Sequence, residues 1–149
     1  MLSEGVNAKY AYRHFPIDSN CNPGVKNYKN QYPGSCEMAK VVEAVDILCG
    51  NEARWRVHKL FMTTQQSVSL NSLANTAASV CSQSAETIAD IAASADVAIR
   101  LRDDINSKLR VWKRSVPVLI IDGRFIPRWE MEGTTGKDTL LQIIDEASK

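Results

Sequence analysis

The order of elements legible in the chain predicts a mixed protein, α/β or α+β, built as strand, helical block, hairpin and closing helix. Three observations predict it. An aromatic-rich, imperfectly alternating stretch, Ala8 to Ile17, comes before any helical periodicity. Apolar residues spaced by three and four then dominate Ser35 to about Trp112. Last, the run Val116-Pro117-Val118-Leu119-Ile120-Ile121 meets Asp122-Gly123, a tight-hairpin dipeptide, ahead of a final amphipathic stretch.

Each element has its own justification. The strand expected over residues 8–17 stops at Pro16, which has no N–H for a ladder. The segment that follows, rich in Asp, Ser, Asn, Pro and Gly, reads as loop. Ser35 as N-cap and Glu37 in the first turn open a helix whose apolar face runs through Met38, Val42, Val45 and Cys49. Gly50 ends it, and a second helix carries Trp55, Leu60, Phe61 and Met62. A third runs from about Leu70 to Cys81, with Leu70, Leu73, Ala77 and Val80 inward. Ser84 and Glu86 open a longer one through Ile88, Ile91, Ala95, Ala98, Ile105 and Leu109, breakable at Ser94-Ala95-Asp96. After the hairpin, Thr135 and Asp138 form a capping box for a last helix bearing Leu140, Leu141, Ile143, Ile144 and Ala147.

Composition bounds the function. With 149 residues, 44% hydrophobic and 23% charged, the chain reads as one domain, 1–149, and not as a disordered tail or rod. No apolar run approaches the ~20 residues of a membrane helix. The N-terminal Met1-Leu2-Ser3-Glu4-Gly5 lacks the basic flank and apolar core of a secretory signal. A net charge of +1 gives no general pull toward nucleic acid, and none is expected as a partner. Residues 100–128 hold eight Lys/Arg against three Asp/Glu, a bias read as helix solvation that is also able to meet an acidic partner. No spacing points to a metal or a cofactor, and no catalytic residue is assigned. His14 and His58 read as structural or surface groups, and Trp55, Trp112 and Trp129 as packing residues.

The four cysteines, Cys21, Cys36, Cys49 and Cys81, include no C-x-x-C pair. Cys21 and Cys36 share one loop-rich stretch and suggest a staple, worth ~3 kcal/mol through the unfolded state, with two reduced thiols as the alternative. A bond there implies an oxidising compartment. Cys49 and Cys81 lie in apolar patterns at helix ends and read as small core residues.

A Pro at the start of a buried strand that runs into an Asp-Gly hairpin and a last helix is similar to the cis-proline hairpin of the thioredoxin fold. Tyr12-Arg13-His14-Phe15-Pro16-Ile17, then Asp18 to Asn22 and Tyr32-Pro33-Gly34-Ser35-Cys36-Glu37-Met38-Ala39, resemble DsbA-like thioredoxin domains, including those fused to vitamin K epoxide reductase-like membrane proteins. The resemblance implies an α/β, thioredoxin-like fold with residues 35–112 as a helical insertion and 116–149 as cis-Pro strand, hairpin and final helix. It implies thiol–disulfide oxidoreductase chemistry, a periplasmic or cell-envelope location and a membrane redox partner. Ser115, Val116 and Pro117 become the expected substrate-binding loop, pairing with an extended peptide of an unfolded protein.

One departure is plain. The family's Cys-x-x-Cys follows a first strand, and the nine residues before Tyr10 cannot hold the ~25–30 that strand, turn and helix need. The fold is thus expected to be N-terminally incomplete, with the redox pair absent. Two strands flanking the gap are then expected to pair directly, to be bridged by a second copy, or to await a longer polypeptide. A non-catalytic peptide-binding module and a glutathione-transferase-like protein are the alternatives.

Overall fold

The computed structural model describes residues 11–25, 32–63, 69–111, 116–126 and 136–147. The chain divides into two compact units, residues 13–109 and residues 110–149 with 1–12.

Helices build the first unit. α1 (Ser35–Thr63) is interrupted at Gly50, whose φ of 79° and ψ of 177° turn the chain where an L side chain would be strained. α2 (Leu70–Ala78) and α3 (Ala85–Ala92) pack on each other and on α1. Both begin on a serine cap: Ser69 Oγ accepts from Ser72 N at 3.2 Å, and Ser84 Oγ from Thr87 N at 3.1 Å. α4 (Ala95–Val111) starts where Ser94 breaks the periodicity. Val41, Ala44, Val45, Val57, Leu73, Ala77, Ile88 and Val97 are wholly buried. A second cluster joins Ala39, Leu101 and Ile105, with Phe15, Cys21 and Leu109 packed against it.

Residues 11–17 form no strand. A strand needs a partner for its backbone groups, and this segment finds a side chain instead. Asp104 of α4, buried, accepts from His14 N and from Arg13 Nη1, each at 2.9 Å. Phe15 then packs on the helices and lies under the Lys108 ammonium, 4.2 Å from its ring centroid. A short 3₁₀ turn, Pro23–Val25, closes the segment, and Gly24 sits so near Leu109 that a Cβ would come within 2.9 Å of it.

In the second unit, β1 (Leu119–Ile121) and β2 (Arg124–Ile126) pair antiparallel, with Leu119 opposite Ile126, Ile120 opposite Phe125 and Ile121 opposite Arg124. Asp122 and Gly123 take φ of 47° and 77°, the two positive values a two-residue hairpin turn demands. α5 (Gly136–Ala147) packs against β1.

The expected α/β thioredoxin-like class is overturned. The structure is mostly helical, and its sheet has two strands among the described residues. Residues 35–112 are therefore not an insertion into a sheet; from Ser35 to Val111 they are the body of the protein. Residues 8–10 of the expected first strand lie outside the described residues, and residues 13–14 are held by Asp104, so the two strands expected to flank a gap are not formed among the described residues.

Candidate functional site

Two features bear chemistry, one in each unit. The first is the open side of the hairpin. The bond Val116–Pro117 is cis, the isomer expected from the sequence, and leads into β1 two residues later. Val116 is half-buried and Pro117 exposed, while Ser115 lies outside the described residues. β1 is bonded on one side only, to β2, among the described residues. In a two-residue hairpin the closing pair, Ile121 and Arg124, exchanges hydrogen bonds. The alternate residue, Ile120, then turns its N–H and C=O away from β2. Its side chain is 45% exposed, whereas Leu119 and Ile121 on the other face are half-buried.

The second feature is a buried charge cluster that the sequence did not advertise. Glu43 of α1, 4% exposed, receives Arg54 Nη2 at 2.6 Å from beyond the Gly50 turn. His14 Nε2 lies 3.3 Å from the same oxygen, Oε1, and Arg100 of α4 reaches Oε2 at 3.6 Å and Asp46 at 3.2 Å. Burial pushes the Glu43 carboxyl up. The His14 contact and the charges of Arg54, His14 and Arg100 outweigh it, and the net shift is downward. His58, edge-on to Trp55 at 5.6 Å and to His14 at 6.4 Å, is held below the ordinary imidazole range by burial first, then by His14 and Arg54. His14 is thus a buried structural group, and His58 is half-buried where a surface role was expected. No group of three or more His, Cys, Asp or Glu among the described residues is placed to hold a metal.

Part of the basic bias over residues 100–128 is used within the chain, by Arg100 on Asp46 and Glu43 and by Lys108 on Phe15. Trp112 and Trp129 lie outside the described residues.

All four cysteines are bonded. Cys21 joins Cys36, and Cys49 joins Cys81, each pair with Cα atoms 5.9 Å apart. The second bond corrects the reading of Cys49 and Cys81 as unbonded core residues. Cys49 sits at the Gly50 turn and Cys81 just beyond α2, so the bond ties α1 to the end of α2. Two disulfides are compatible with an oxidising environment. No described helix is long and apolar enough to cross a membrane.

No family model, curated protein or solved structure matches this chain.

Proposed function

We propose that this chain is a peptide-binding module of the periplasm or cell envelope, which takes up an extended segment of a protein substrate along the open side of β1. The observation that carries the reading is β1 itself: one bonded side among the described residues, an uncharged Leu119-Ile120-Ile121 sequence and an exposed Ile120 whose backbone groups point away from β2. An unpaired apolar strand edge is a template for another strand, and main-chain hydrogen bonds from an incoming peptide would satisfy it. The residues that resemble DsbA-like proteins supply the second support, since that likeness implies peptide pairing beside Val116 and Pro117. The resemblance also implies service to thiol–disulfide exchange, with a membrane redox protein as a further partner. That every cysteine of the chain is bonded favours the non-catalytic form, in which this chain holds a peptide and contributes no free thiolate.

The test is peptide affinity read by fluorescence anisotropy on the disulfide-bonded chain. Ile120→Pro removes the outward N–H and leaves the bonds to β2 intact, so it should weaken binding at least about tenfold. Ile120→Thr, which keeps the N–H and a β-branched side chain, should bind within about twofold of the parent. Equal affinity in all three chains would refute the reading. A second copy of the chain at β1 would instead appear as a concentration-dependent dimer that Ile120→Pro abolishes.

A further inference from the structure

We propose that Asp122–Gly123, the tip of the hairpin, is a self-modification site: the Asp122 side chain closes on the Gly123 nitrogen to a cyclic imide, which water reopens as isoaspartate. The reaction stands without peptide binding along β1, and only its effect on that binding rests on the reading above.

Ring closure needs an accessible carboxyl, a backbone nitrogen outside the hydrogen-bond ladder, and no side chain on the following residue to obstruct the approach. Asp122–Gly123 meets each condition. Both residues are exposed, and among the described residues no hydrogen bond or ion pair engages the Asp122 carboxylate. The closing pair of the hairpin is Ile121 and Arg124, so the ladder leaves the Gly123 N–H out. A Cβ built on Gly123 would meet nothing within 4 Å, which leaves room for the ring and for water. Asp122 also sits at a φ of 47°, a left-handed conformation that costs an L residue energy, so departures from the turn are weakly opposed.

Other aspartates lack the combination, and Asp-Gly occurs once in the chain. Asp90 and Asp103 are exposed, but each precedes a helical residue whose N–H is bonded to a carbonyl of the preceding turn. Asp18 is buried, and its carboxylate is engaged by Asn20 N and Gly34 N, each at 3.0 Å.

The chemistry balances. The Gly123 nitrogen bonds to Asp122 Cγ, and the carboxyl hydroxyl departs with the Gly123 amide proton as water. Water then adds to either imide carbonyl. Breaking the new Cγ–N bond restores aspartate, whereas breaking the original peptide C–N bond leaves the chain running through Cβ and Cγ. No electrons change hands, and the water lost is regained. The added backbone carbon lengthens the tip, so Ile121 no longer closes on Arg124 and the pairing of β1 with β2 slips.

The test is incubation of the disulfide-bonded chain, followed by electron-transfer fragmentation, which tells isoaspartate from aspartate of equal mass. Isoaspartate should accumulate at Asp122 at least about tenfold faster than at Asp90 and Asp103. Nuclear Overhauser contacts between Ile120 and Phe125 should fade in step with it, with helical circular dichroism retained. Asp122→Ser, which forms no imide, should keep those contacts over the same period. The purified isoaspartyl chain should bind extended peptide at least about tenfold more weakly than the parent. No isoaspartate at Asp122, equal rates at the three aspartates, or an isoaspartyl chain with its register intact would each overturn the proposal. A lost register with peptide binding unchanged would refute the reading of β1 and uphold the modification.

Discussion

Residues 13–109 and the hairpin unit differ in where their polar groups are satisfied. In the helical unit, a buried carboxylate, Glu43, meets two arginines and a histidine, and another, Asp104, holds the backbone at His14. Two disulfides close that unit, and its central side chains are wholly buried. In the hairpin unit, the sheet has two strands among the described residues, and Ile120 is 45% exposed. The helical unit meets its buried carboxylates from within, whereas in the hairpin unit β1 is bonded on one side among the described residues, the side on which the proposed function rests.

Breaking the closed side should have the larger effects. Replacing Cys49 and Cys81 by Ala opens a loop with a sequence separation of 32 and should cost about 4 kcal/mol in guanidinium unfolding. A loss under about 1 kcal/mol would mean that the helices pack without the bond. Next, Glu43→Ala leaves the Arg54 guanidinium without its buried carboxylate and should cost about 3 kcal/mol in the same experiment, with peptide binding at β1 unchanged in the chains that remain folded. Ser84→Ala removes the cap that accepts from Thr87 N, together with the exposed hydroxyl contact to Thr87 Oγ1, and should lower stability by about 1 kcal/mol.

The pH dependence sharpens the same contrast with the mildest perturbation. The folded pKa of His58 is lowered from 6.5 by burial, His14 and Arg54, so its contribution is present above that value and fades as pH falls through the folded pKa. Glu43, lowered from 4.5, contributes above that value and loses its share at more acid pH. The helical unit should therefore weaken in two stages on acidification, the first below about 6.5. Urea midpoints read at Trp55 between pH 7 and 4 check this, and His58→Gln should remove the first stage alone.

The helical body was largely legible because its signals are local. Gly50 ends one run of apolar spacing and takes the positive φ expected of it, and Ser84 caps the helix it was read to cap. The hairpin was legible for the same reason: Asp122-Gly123 sets both its turn and its register. Where residues 11–17 go was not. Their aromatics suit a strand, but Asp104, some ninety positions away, outbids any ladder for the His14 N–H. The charge cluster around Glu43 hid likewise, because Arg54 sits across the Gly50 turn and Arg100 on another helix. In the sequence, Glu43 looks like one more solvated helix acid. Cys49 and Cys81 share no motif, and only the packing of α2 against α1 brings them together.

Amide hydrogen exchange on the disulfide-bonded chain, with and without saturating extended peptide, tests the division most directly. Protection should rise at least about tenfold at Ile120 and its β1 neighbours, with the amides of α1 to α4 unchanged. Protection gained in the helices while Ile120 exchanges as before would contradict it.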